Sequence, residues 1–363
     1  MADIGDLAGR RVNVNDLYDF SLQVMLLAGL KEEHAQVTAD VLVTTDTWGV
    51  HTHGTKQLRP LVKNVRAGRL QAHAEPEVVA EGAGWALVDG HYAMPMVSSC
   101  LAMRTAMAKA RDVGIAYAGV RHSSHFGAAG YYAVMGAQGG LLGMAMCNVD
   151  PCMTVPGARG RVLGTNPFAY AIPAGKGRPL FLDIATSAAA ASKIFAAASV
   201  GKQIPEGWLV DDDGLPTVDP SIFPRSGALL PMAGHKGYGL ALLIEVLAGV
   251  LTGAAITQEI KSWLDDVPDP TNEGHAFIAI DIAAIIDPAE FAERMNHLAN
   301  EIHSAPKAKG AERIYLPGEM EWERREMALT HGVVLPPDVV ESLLGVAADV
   351  GLDRTSLALQ ELA

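Results

Sequence analysis

The chain has 363 residues, with 28 lysines and arginines against 41 aspartates and glutamates and a formal net charge of −13; no footprint for a nucleic-acid backbone is expected. Its length supports one large domain or two of ordinary size, with a core that needs no cross-links. Three cysteines, Cys100, Cys147 and Cys152, show no CxxC spacing, which excludes a disulfide scaffold and a thiolate zinc site and suits the reducing cytoplasm.

The opening MADIGDLAGRRVNVNDL carries charges and no apolar run, so a secretory signal is not expected. Residues 13 to 47 hold two helical patterns. Asn13 or Asn15 can cap the first, Leu17, Phe20, Val24 and Leu27 form its apolar stripe, and Gly29 stops it. The second runs from Glu32 to about Thr47 with Ala35, Ala39, Leu42 and Val43 on one side. WGVHTHGT, residues 48 to 55, follows directly. From about Glu77 the chain alternates: a strand in WALVDG, a helix from Pro95 to Asp112, a strand in GIAYAGVRHSS and a helix from Gly130 to Gly139. Strands then follow in LLGMAMCNV, FAYAIPA and LFLDIAT.

Residues 239 to 256, GLALLIEVLAGVLTGAAI, are long enough for a membrane span. Glu245 at their centre argues instead for an apolar helix buried in a core, with no membrane partner. FIAIDI is a further strand, and helical patterns return at Pro288 to Ile302 and Pro337 to Ala347. The expected architecture is α/β: a central mixed sheet within 76–284, flanked by a helical region built from 1–75 and 285–363.

Candidate chemistry begins at HTHG. On a strand, His51 and His53 would face the same way, and His122 and His125 of RHSSH would complete an imidazole set for a metal-dependent hydrolase. Each is equally readable as a hydrogen-bonded structural histidine. Thr52 beside His53 can fix its tautomer and relay protons, and Gly54 permits close approach, which suits a general acid better than a ligand and calls for no metal. No GxGxxG follows the first strand, so the common dinucleotide fingerprint is missing. In GHKGYG, residues 234 to 239, three glycines and Lys236 stand at the positive end of the apolar helix; this is an anion site or a plain glycine turn with a solvated lysine.

Taken in order, HTHG, SSHFGAAGYY, LGTNPFAYAIP, LFLDIATS, IPEGWLVDDDGLPTVDP, GHKGYGLALLIEVLAGVLTGA and LPGE resemble the malate/L-lactate dehydrogenase family of NAD(P)H-dependent oxidoreductases. Ureidoglycolate dehydrogenase, diketogulonate reductase, sulfolactate dehydrogenase and piperideine-2-carboxylate reductase belong to that family, which is unrelated to the Rossmann-type lactate dehydrogenases. The resemblance implies a non-Rossmann NAD(P)-binding fold, NAD or NADP as cofactor, and a homodimer with active sites near the subunit interface. It implies hydride transfer between nicotinamide and a small substrate, a 2-hydroxy acid/2-oxo acid pair or a cyclic imino acid.

By the same resemblance, His53 is the proton donor, Thr52 assists it, and His125 is a second histidine near the reacting atoms. Asp183 and Asp150 are carboxylates for orienting an imidazole or binding substrate, or else caps. Cofactor contacts fall on Leu182, Asp183, Ile184, Ala185, Thr186, Ser187, Lys236, Gly237, Gly318 and Glu319, with Thr165 and Asn166 lining the pocket. At the substrate end, Trp48 and Gln57 occupy positions where members often carry arginine, the second of them gripping a carboxylate. A neutral amide cannot replace that charge-assisted fork. Lys56, Arg59 or Arg121 would have to supply the charge, or the substrate has no carboxylate there. A protein that binds dinucleotide without turnover is the remaining alternative.

Overall fold

A computed structural model describes residues 10–264 and 268–361; most of the stretch tested for a secretory signal, residues 1–9, lies outside them. The chain opens with β1 (Arg10–Val12), α1 (Val14–Leu27), α2 (Glu32–Thr47) and α3 (Leu58–Arg66). The central part follows as β2 (Glu77–Gly82), β3 (Trp85–Asp89), α4 (Pro95–Val113), β4 (Ile115–Ser123), α5 (Ala129–Gln138), β5 (Leu141–Cys147), β6 (Phe168–Ile172) and β7 (Leu180–Ile184). Next come α6 (Ala191–Ser199), β8 (Leu209–Val210), β9 (Pro216–Thr217), β10 (Ala228–Leu229), α7 (His235–Ile244) and β11 (Glu273–Asp281). The last elements are α8 (Pro288–His303), α9 (Glu319–His331), β12 (Val333–Leu335), α10 (Pro337–Val350) and β13 (Gln360–Glu361).

A seven-stranded mixed sheet in the order β2-β3-β4-β11-β5-β6-β7 forms the centre. Its β3/β4 pair is parallel, and the other described neighbours are antiparallel. The late strand β11 inserts between β4 and β5, which brings residues 273–281 beside the RHSSH segment. Helix α4 packs on β3, β4 and β11 because Met96, Cys100, Met103, Ala106 and Ala110, all 2 % exposed or less, recur at helical spacing on one face. Two-sided burial of the middle strands then follows, and Ala118, Ala145 and Phe277 are fully covered.

In α1 the Asn13 side chain accepts the Asn15 amide, and Leu17, Phe20 and Val24 are buried as the pattern requires. Leu27 departs from it: 55 % exposed, it has turned out of the stripe in the last turn while Met25 faces inward. The chain ends come together, since β1 pairs with both β12 and β13 and α10 packs on α1 and α3. A three-stranded sheet, β10-β8-β9, has a small core of its own around Met153, Leu163, Ile194, Leu209 and Phe223. Its two-residue strands are too short to show a period in sequence.

The long apolar stretch corrects an expectation. It is α7 continued by a π-helical turn at Glu245–Val250, and only one side is buried. Ala241, Ile244 and Ala248 are covered, whereas Leu242, Leu243, Val246, Val250 and Leu251 are 42–59 % exposed. Glu245 sets the buried side, because its carboxylate is met there by the Asn166 side chain and the Thr257 amide at 2.7 and 2.8 Å. No helix among the described residues is long and apolar enough to cross a membrane.

Candidate active site

The site starts from the last turn of α2. Asp46 lies seven residues after Ala39, on the apolar side of the helix, and is 1 % exposed. A buried carboxylate needs donors, and the chain supplies them by folding back. His51 Nδ1 lies 2.8 Å from Asp46 Oδ1, while the Thr55 amide and hydroxyl donate to Oδ2 at 2.8 and 2.6 Å. HTH is therefore a 3-10 turn, His51–His53, and not the strand that would align both rings on one ion. The turn sends the two rings to different partners: His51 to Asp46, and His53 Nδ1 to the Thr52 hydroxyl at 2.9 Å. Gln57, 8 % exposed, donates its amide to the Thr52 carbonyl, and its Oε1 has no partner.

His53 and His125 meet, with ring centroids 5.3 Å apart and planes tilted by 31°. Trp263 stacks on His125 at 4.4 Å and 21°. Burial lowers the His53 pKa below the ordinary imidazole value. His125 is pushed down further, by burial first and then by the neighbouring His53 and His275. Both imidazoles are consequently neutral at pH 7.

His51 and His122 stay out of this pair. His122 Nδ1 is 2.9 Å from Asp89 Oδ1, and Arg121 Nε donates to the same carboxylate at 3.1 Å. The four histidines of the hydrolase reading do not converge, and among the described residues no group of three or more His, Cys, Asp or Glu is arranged to hold a metal ion. Arg121 is likewise engaged, as are Lys56 with Asp338 and Arg59 with Asp349, so none of the three is a spare cation.

On the other flank of the 124–130 loop, the Gly130 amide donates to Asp183 Oδ2 at 2.7 Å. Asp183 thus caps the first turn of α5 across space instead of orienting an imidazole. Burial pushes its carboxyl up to about 6 against the pull of that amide. Thr186 is fully buried, and its amide and hydroxyl both donate to the Thr165 carbonyl, at 2.9 and 2.7 Å. It is a pin between two loops. Leu182, Ile184 and Ala185 keep part of their surface open, while Ser187 is 6 % exposed and donates to the Ala189 carbonyl.

The GHKGYG turn abuts this segment. A Cβ on Gly237 would lie 2.6 Å from the Thr186 and Met232 carbonyl oxygens, so only glycine lets α7 begin this close to β7. Lys236 is exposed beside it and makes no ion pair among the described residues. A positive helix end with an exposed lysine beside it suits the phosphates of a dinucleotide. Gly318, at φ +90°, caps α9, and Glu319 accepts the Leu316 amide at 2.9 Å and pairs with His303 and Arg313 at 3.0 and 3.3 Å. Glu319 borders a cleft of ≈ 330 Å³ that Lys176, Arg178 and Trp322 also line.

Two substrate-side expectations are overturned. Trp48 is 2 % exposed and packs 4.9 Å from Phe181 and 5.7 Å from Trp322, so its indole is core and does not face a substrate. Asn166 is fully buried: its amide nitrogen donates to the Ala241 carbonyl and to Glu245, and its Oδ1 accepts the Val149 amide. With every polar atom engaged, it ties the end of β5 to α7 instead of lining a pocket. Thr165 is half-buried, and Asp150 lies near Glu273. That glutamate, fully buried, has its carboxyl pushed well above the ordinary range, by burial first and then by Asp150. Asp46, Trp263, Glu273 and His275 were not anticipated. Asp46 alone had a signal, a carboxylate on the apolar stripe of α2; Trp263 and His275 reach the His125 ring through β11 and the loop before it, and Glu273, on the same strand, lies beside Asp150.

Comparison with known proteins identifies the family. The profile of the malate/L-lactate dehydrogenase family matches residues 12–344. Malate dehydrogenase of Pyrococcus horikoshii is 36 % identical over 350 residues, covering 94 % of this chain and 96 % of that one. Malate/(S)-sulfolactate dehydrogenase of Methanothermus fervidus is 33 % identical over 92 % and 96 % of the two chains, and Delta(1)-pyrroline-2-carboxylate reductase of Ancylobacter novellus 32 % over 90 % and 94 %. The solved structure of the P. horikoshii enzyme superposes with a TM-score of 0.87 over 95 % of this chain and 97 % of that one, at 34 % identity. The chain belongs to the malate/L-lactate dehydrogenase family and is an NAD(P)-dependent oxidoreductase.

Proposed function

We propose that the protein interconverts a 2-hydroxy acid and a 2-oxo acid, or reduces a cyclic imino acid, with His53 carrying the proton. Malate, sulfolactate and pyrroline-2-carboxylate, named for its relatives, define that substrate range. The observation that carries the assignment is the His53–His125 pair, partly open, neutral, and set beside the Thr52 hydroxyl. A bound nicotinamide supplies the hydride. Thr52 holds the Nδ1 side of His53, leaving Nε2 to take a proton from a substrate hydroxyl or return one to the developing oxyanion or amine. His125, between His53 and Trp263, resists protonation and keeps positive charge off the neighbouring ring position.

Gln57 offers only its unpartnered Oε1 in place of a guanidinium, its nitrogen being held by the Thr52 carbonyl, so that point suits a neutral hydrogen-bond donor and not a carboxylate. Leu182 to Ser187, Lys236, Gly237, Gly318 and Glu319 form the cofactor side, and NAD and NADP both remain substrates to compare. The mixed, mostly antiparallel sheet supports a non-Rossmann cofactor fold in residues 76–284, beside a helical unit of 1–75 and 285–363. The exposed apolar face of α7 supports a homodimer, since single chains rarely leave so continuous a strip uncovered, and the free Cys100, Cys147 and Cys152 suit the reducing cytoplasm.

The pH dependence tests the proton assignment. Oxidation needs neutral His53, so kcat/KM for a hydroxy substrate is expected to rise with pH to a plateau, with a midpoint below 6.5. Reduction needs protonated His53 and falls as pH rises through the same midpoint. A pH profile that persists unchanged in His53→Gln would remove His53 from the proton path.

A further inference from the structure

We infer that Asp46 is a positioning residue, whose buried carboxylate sets the turn that presents His53 to the substrate. The inference rests on the assignment of His53 as proton carrier. Asp46 touches neither ring of the His53–His125 pair; it acts through His51 and Thr55, two residues to either side of His53. Upstream it holds the His51 ring at 2.8 Å, and downstream the Thr55 amide and hydroxyl at 2.8 and 2.6 Å. His53 is thus the middle of a loop whose two ends are fastened to one carboxylate that is 1 % exposed. Charge-assisted bonds of this length, shielded from water, resist the small displacements that a proton transfer cannot tolerate.

Gly54 gives a second, independent observation. Its φ of −90° and ψ of −144° do not demand glycine by handedness, yet a Cβ there would stand 2.3 Å from Asp46 Oδ1 and 2.8 Å from Oδ2. The residue after His53 is therefore constrained by the carboxylate itself. Alanine must push Asp46 and the turn apart while leaving every donor and the charge in place. Charge loss and steric displacement should then produce one phenotype.

The test uses the full-length protein with the fastest substrate found for it. Asp46→Asn and Gly54→Ala are each expected to lower kcat by about tenfold or more, with the Kd for NADH, read by nicotinamide fluorescence, within about twofold of the parent. Thr55→Val, which removes one donor, is expected to fall in the same direction, and Thr55→Ser, which keeps it, to restore kcat to within about twofold. That split between kcat and cofactor affinity, with rescue by serine, is not what general loosening produces. If Asp46→Asn fails to fold, the Thr55 pair and Gly54→Ala decide. Unchanged kcat in the folded variants, or NADH affinity lost in parallel with kcat, overturns the inference. His53→Ala is measured alongside: if it keeps full activity, the proton assignment fails, whereas a large loss there with silent Asp46, Gly54 and Thr55 variants refutes the positioning role alone.

Discussion

Replacing His53 with alanine is expected to lower kcat by at least about a hundredfold while cofactor affinity changes by no more than about twofold. The ring is the one imidazole of the pair with a hydroxyl on its Nδ1 side, at 2.9 Å, and its neutral form is favoured by burial. Proton transfer to or from a substrate oxygen or nitrogen occurs in the same step as hydride movement, so its loss appears in kcat. Alanine also removes one face of the His125 packing; His53→Gln, which retains bulk and loses the titrating group, controls for that and is expected to be comparably slow. Steady-state kinetics and NADH titration of both variants provide the check, and a His53→Gln enzyme with parental kcat would end the assignment.

Asp183→Asn is expected to be more stable than the parent at pH 8 and no different at pH 4. Its carboxyl is raised from 3.8 to about 6 by burial, so ionising it in the folded state costs roughly 3 kcal/mol at about 1.4 kcal/mol per pH unit. The sign follows from the raised value. The group's contribution is most favourable below 3.8, where both states are protonated, and declines as pH rises through about 6. Asparagine keeps an oxygen for the Gly130 amide, at 2.7 Å in the parent, and never ionises. Urea denaturation at the two pH values measures the difference, and an equal midpoint shift at both would mean that the carboxyl titrates normally. Because Asp183 ends the strand that borders the proposed cofactor side, the gain in stability should come with weaker NADH binding.

The α/β alternation was legible because long periodic elements advertise themselves. Helix α4 was expected at Pro95 to Asp112 and runs Pro95–Val113, and the β5, β6 and β7 strands lie within the runs that announced them. The insertion of β11 between β4 and β5 was not legible, since no local pattern encodes which strands pair across 150 residues. For the same reason Trp263 on His125 and Glu273 beside Asp150 had no signal. The one-sided burial of α7 was missed because hydropathy does not distinguish a surface strip that another molecule can cover from a core face. The local geometry of HTHG was not legible: strand alternation would align His51 with His53, but the demand of Asp46 for donors curls the segment into a 3-10 turn. Trp48 and Asn166 were misplaced toward the substrate because position in a motif says nothing about which way a side chain turns.

Turnover at the nicotinamide tests the central claim most directly. Purified protein is assayed at the nicotinamide absorbance with NADH and NADPH against 2-oxo acids and cyclic imino acids, and with NAD and NADP against the matching 2-hydroxy acids. Substrate-dependent oxidation or reduction of the cofactor, lost in His53→Ala, is the predicted result. Tight dinucleotide binding with no turnover across the whole panel would contradict it and leave a binding protein in place of an enzyme.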